Sequence, residues 1–90
     1  MNIYEKYSDK ELVSLLREPS PTTDQAFNVV YSKYSSQLYG YCLYKSASAR
    51  EAEELHQDSW LRFYNAVKSG KNPENILPFL FSVSGYNFLS

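Results

Sequence analysis

The chain has one cysteine, one histidine and three isolated glycines among its 90 residues. Cys42 alone cannot close an internal disulfide, which fits a reducing compartment, so a cytoplasmic location is expected. His56 has no second ligand at a metal-binding spacing, and no metal site is expected. The glycines form no phosphate-cradling loop, and no nucleophile–base pair or paired catalytic carboxylates stand out. Neither an enzyme nor a bound cofactor is expected. No apolar run approaches the roughly 20 residues of a membrane span, so no membrane insertion is expected. The opening MNIYEKYSDK lacks the apolar segment of a secretory leader. Charge of one sign is also missing. Nine basic and ten acidic residues leave a net charge of −1, which gives nucleic-acid binding no general support.

What is present is apolar and aromatic. A hydrophobic content of 43% with 17% aromatics suits one small folded domain rather than a disordered chain. Nine tyrosines let a small core be aromatic-rich, because a tyrosine can bury its ring and keep its hydroxyl wet. Residues 1–7 read as a frayed lead-in and residues 8–90 as the domain.

The most informative stretch runs from Arg50 to Val67. At helical pitch Ala52, Leu55, Ser59, Phe63 and Ala66 share one side, widened by His56, Trp60, Tyr64 and Val67. That is the face of a helix packed into a core. Opposite lie Glu54, Gln57 and Asp58, one turn apart, with Leu61 among them. A leucine on an acidic outer face has no core to enter and suggests a docking surface. Arg62 can pair with Asp58 at i+4, worth only a few tenths of a kcal/mol. A merely solvated helix face is the plainer reading of the acids taken alone.

Around this helix the chain is punctuated. Ser8-Asp9-Lys10-Glu11 is a capping box, opening a short helix with Leu12, Val13, Leu15 and Leu16 as its apolar side, which Pro19 and Pro21 end. Thr22-x-x-Gln25 offers a second cap for a helix to about Tyr44, apolar on more than one side and therefore central. Gly40 inside it is expected to permit close approach of a neighbour. Ser48-x-x-Glu51 is a third capping box. Gly70 reads as the left-handed stop after the long helix. A loop then leads to a very apolar last helix from Ile76, with Pro78 in its first turn. An all-α, three-to-four-helix orthogonal bundle is expected, with its last helix cut short near Ser90.

The run Glu54-Leu55-His56-Gln57-Asp58-Ser59-Trp60-Leu61-Arg62-Phe63-Tyr64 resembles the acid-x-x-Gln-acid-x-aromatic-Leu-Arg-x-aromatic signature of region 2 of bacterial sigma-70 factors. Its short extracytoplasmic-function branch is the nearest likeness. That branch usually has Asp then Glu at the acidic places, and a β-branched residue where His56 stands. SDKELVSLLRE and Ala26-Phe27-Asn28-Val29-Val30-Tyr31-Ser32-Lys33-Tyr34 resemble two earlier motifs of the same branch. FLFSVSGYNFLS looks like its last-helix motif; set without gaps, Gly85 takes the usual Arg place and Tyr86 the usual Asn.

The resemblance implies docking on the beta-prime coiled coil of core RNA polymerase through Glu54, Gln57, Asp58, Leu61 and Arg62. It implies that the loop and last helix help recognise and melt the minus-ten element of promoter DNA. Lys68, Lys71, Asn72, Tyr64, Tyr86 and Asn87 are the candidates for that contact. An anti-sigma factor is an implied partner. The upstream-element-reading domain of such factors is not in the sequence. Two rivals stand beside this reading: a degenerate sigma-like interaction module without promoter reading, and an unrelated helical scaffold.

Overall fold

The computed structural model describes residues 2–86, and they form four helices. These are α1 (Asp9–Leu16), α2 (Thr22–Lys45), α3 (Ala49–Lys68) and α4 (Ile76–Tyr86). The all-α expectation holds. The extension of the last helix towards Ser90, and Asn87 with it, lies outside the described residues.

The starts of α1 and α3 have a local cause. At α1 the capping box forms in full: the Ser8 hydroxyl accepts from the Glu11 amide at 3.1 Å, and Glu11 Oε1 accepts from the Ser8 amide at 2.8 Å. At α3 Ser48 accepts from the Glu51 amide at 3.2 Å, but the Glu51 carboxylate turns to the Ala47 amide instead of the Ser48 amide. The third box is therefore half formed. The cap expected at Thr22 is absent. Pro21 holds the N-cap place with no side-chain bond, and Thr22 is already helical. The Thr23 hydroxyl is turned back instead to the Leu16 carbonyl at 2.7 Å, sewing α1 to α2.

α2 is the spine. Its 24 residues span about 36 Å at 1.5 Å per residue, close to the 37 Å longest dimension of the molecule. Residues 46–48 join it to α3, a turn short enough to lay the two helices antiparallel. It buries Ala26, Val29, Val30, Leu38 and Cys42, more than one arc, as a central helix must. Gly40 is not a close approach: a Cβ placed there meets nothing within 4 Å.

The core gathers Leu12, Val13 and Leu16 from α1, Phe63 and Val67 from α3, and Ile76 and Leu80 from α4, all at 0% exposure. Each such side chain stabilises the fold by about 1.5–3 kcal/mol relative to exposure. Inside it, the Ser84 hydroxyl donates to Ser59 Oγ, and Ser59 donates to the Leu55 carbonyl at 2.6 Å, so α4 is keyed to α3 by a satisfied polar contact. Burial raises the pKa of the Cys42 thiol, which a hydrogen bond with Ser59 partly offsets. The described part of the lead-in touches the helices. Tyr4 packs on the core, and Asn2 Nδ2 donates to the Gln25 carbonyl at 2.8 Å.

Candidate functional site

α3 sorts its residues by face. Ala52, Leu55, His56, Ser59, Trp60, Phe63 and Val67 are buried. Ala66 and Tyr64, expected on the same side, are half-buried. Glu54, Gln57, Leu61 and Arg62 are exposed, and Asp58 lies beside them half-buried. The five docking candidates are thus brought together on one outer surface. Leu61 is 59% exposed, the apolar member of an otherwise polar strip. Arg62 Nε donates to Asp58 Oδ2 at 2.7 Å, so the only cation of the strip already faces one of its acids.

Leu61 also borders a groove of about 490 Å³ between α2 and α3, lined with Trp60, Tyr64, Phe27, Asn28 and Asp24. The α2 residues were not legible as neighbours of the strip, because only tertiary packing sets α2 beside it. The indole of Trp60 forms the groove wall while remaining 7% exposed, edge-on to Phe27 at 5.4 Å and Tyr31 at 5.1 Å. Behind it, the Trp60 N–H donates to His56 Nε2 at 3.2 Å, which ties the neutral imidazole to the wall. Burial lowers the His56 pKa, with the nearby Ser35 carbonyl acting in the opposite sense.

The candidates for nucleic-acid contact fall into two places. Tyr64 stands on the α2 side. Thr23 spends its proton on Leu16, so the Tyr64 hydroxyl, 3.2 Å away, donates to Thr23 Oγ1. The ammonium of Lys68 lies 5.2 Å from the Tyr64 ring centroid and 3.5 Å from the Glu18 carbonyl. On the α4 side, Lys71 lines a second groove of about 820 Å³ with Arg62, Asn65, Ala66, Ser69, Ser82 and Val83. Asn72 is exposed in the loop beside it. Tyr86 ends α4.

Two further residues reach this loop from α1. Arg17 bonds the carbonyls of Val67 and Lys71, and Asp9 accepts from the Ile76 amide. Partners this far along the chain leave no local pattern in the sequence. Among the described residues no group of three or more His, Cys, Asp or Glu could hold a metal ion, and no helix is long and apolar enough to cross a membrane.

The profile of the sigma-70 region 2 family matches residues 30–84, well over half of the 90-residue chain, and the chain belongs to that family. None of the curated proteins and none of the solved structures matches it. Region 2 is a domain of sigma factors, non-enzymatic proteins of transcription initiation that work with core RNA polymerase and promoter DNA.

Proposed function

We propose that this chain is the region 2 domain of an extracytoplasmic-function sigma factor, acting in the cytoplasm and docking on the beta-prime coiled coil through Glu54, Gln57, Asp58, Leu61 and Arg62. The observation that carries the reading is Leu61, 59% exposed beside Gln57 and Asp58 on the outer face of α3. Acids there complement a basic coiled coil and set its approach, while Leu61 and the groove beside it offer an apolar contact. Gln57 supplies both a donor and an acceptor at the centre of the strip.

The loop after α3 and the helix that follows then contact the opened minus-ten element. Lys71 and Asn72 flank the α4-side groove and are suited to phosphates and a base edge. Lys68 can add a phosphate contact from the α2 side, beside Tyr64. Tyr86, the last residue of α4, and Asn87 after it in the sequence are the remaining candidates for this contact. Nucleotidyl transfer belongs to the polymerase, and an anti-sigma factor would compete for the same acidic strip.

Calorimetry with the isolated beta-prime coiled coil tests the docking. Wild type is expected to bind, and Gln57→Ala and Asp58→Arg are expected to lose binding with an unchanged helical spectrum. A folded wild-type domain that fails to bind removes the docking reading. Docking without any promoter opening by the assembled holoenzyme favours the degenerate interaction module, for which Gly85 in the usual Arg place is the supporting observation.

A further inference from the structure

The loop between α3 and α4 is held at both ends by one short helix. At its start, α3 closes in a Schellman motif. The Gly70 amide donates to the Val67 carbonyl at 3.1 Å and the Lys71 amide to the Ala66 carbonyl at 3.0 Å, with Gly70 at φ 115°. Arg17, the C-cap of α1, enters this turn. Its Nε donates to the Val67 carbonyl at 3.1 Å and its Nη2 to the Lys71 carbonyl. The guanidinium fork bridges the helix end and the loop, and its charge meets the negative end of the α3 dipole.

At the loop's far end, the Ile76 amide donates to Asp9 Oδ2 at 2.8 Å. The other carboxylate oxygen accepts from the Tyr34 hydroxyl at 2.6 Å, so the acid is fixed on α2 while it caps α4. Asp9 and Arg17 are eight positions apart, which on a helix is about 12 Å. Between them Leu12, Val13 and Leu16 are fully buried, so α1 cannot easily shift along the core. Its length therefore sets the distance between the two ends of the loop. Both anchors lie outside the stretch 30–84 that matches the family.

We propose that α1 is a clamp for the 69–75 loop, with Arg17 and Asp9 as positioning residues for the promoter segment that the loop receives. The promoter half of this statement rests on the proposed function; the clamp itself does not. Loosening either anchor leaves the acidic strip intact, since that strip lies on the outer face of α3. Docking and promoter opening should then separate.

The test compares wild type, Arg17→Gln, Arg17→Lys and Asp9→Asn in three readouts. The first is amide hydrogen exchange of the chain by NMR. In Arg17→Gln the amides of 69–76 should exchange on the order of tenfold faster, while those in the interiors of α2 and α3 hold. Arg17→Lys keeps the charge without the fork and should fall between. The second is affinity for the beta-prime coiled coil, expected to stay within about twofold because no docking residue moves. The third is promoter opening by holoenzyme reconstituted with a bacterial core polymerase, on a promoter selected with the wild-type chain and read by 2-aminopurine fluorescence. Opening should drop on the order of tenfold or more, as misplacement of a positioned group does.

Wild-type exchange of the loop in both Arg17→Gln and Asp9→Asn overturns the clamp. Faster loop exchange with undiminished opening overturns the positioning role. Should Arg17→Gln fail to fold, Arg17→Lys, which preserves the side-chain stem, decides between the same outcomes. A wild-type holoenzyme that opens no promoter sinks the proposed function, and the exchange arm still decides the clamp.

Discussion

On α3, Glu54, Gln57, Asp58, Leu61 and Arg62 reach the outer surface from one helix, and helical register alone brings them together. The loop that begins at Ser69 has no register of its own. Its ends are fixed by Arg17, whose partners lie 50 and 54 positions away, and by Asp9, whose partner lies 67 positions away. Two surfaces that meet on one helix are thus stabilised in different ways. The proposed docking strip is local, so substitutions there should change binding and leave the fold alone. The loop is non-local, so its geometry should fail when a residue on another helix is changed.

The largest expected effect breaks the non-local side. Asp9→Ala removes the acceptor of both the Tyr34 hydroxyl and the Ile76 amide. Hydrogen bonds to a charged group are worth about 1.5–3 kcal/mol, so urea unfolding should show a loss of about 2–3 kcal/mol. The same change has a pH signature. Burial, the hydrogen bond to Asp9 and the Asp9 charge together push the Tyr34 pKa from 10.0 up to about 12. The folded state therefore favours the protonated phenol. Its stabilising contribution is complete below pH 10 and is lost as the pH rises towards 12. In Asp9→Ala the Tyr34 titration, followed by ¹³C NMR of labelled tyrosine, should move down towards the ordinary value. A Tyr34 midpoint that stays put would show that burial alone sets it and that the Asp9 contact is weak in solution.

The same division explains what could be read from the sequence. Helix number, the Ser8 cap, the two faces of α3 and the Gly70 stop depend on neighbours within a turn or two, and these were legible. The exposed Leu61 was legible for the same reason: its position on the wheel excludes the core. Thr22 misled because Pro21, one place earlier, occupies the N-cap and draws the helix start forward. Nothing in the lead-in's own composition announces the bond of Asn2 to Gln25 or the packing of Tyr4 on the core. Arg17 and Asp9 carry no local pattern that announces partners 50 or more positions away. Their roles exist only once α1 has packed beside the end of α3. For the proposed docking strip, helical register shows the residues but not the groove beside them, whose far wall comes from Phe27 and Asn28 on α2.

Gly40 sharpens the local side. It sits exposed within α2, and an added Cβ meets nothing within 4 Å. A helix-interior glycine costs about 1 kcal/mol relative to alanine, through the backbone freedom lost on folding. Gly40→Ala should therefore raise stability by about 0.5–1 kcal/mol in thermal or urea unfolding. Loop exchange and coiled-coil affinity should not change. A loss of stability instead would mean that another helix approaches this position in solution, and the expectation of close approach would return.

The smallest expected effect falls on the strip itself. Leu61 is 59% exposed, and the Arg62 and Asp58 side chains are 48% and 45% exposed, so little burial is at stake. An exposed ion pair at i, i+4 is worth about 0.3–0.5 kcal/mol and weakens with salt. Arg62→Ala and Leu61→Ser should each shift unfolding by no more than about 0.5 kcal/mol. Their effect on coiled-coil binding should be far larger, above all for Leu61→Ser. It is this inequality, rather than either number, that separates a docking strip from a packed face. If Leu61→Ser costs as much stability as binding, the side chain is closing the groove against Phe27 and Trp60. The acids around it would then be ordinary solvated surface, and the two regions would no longer differ in kind.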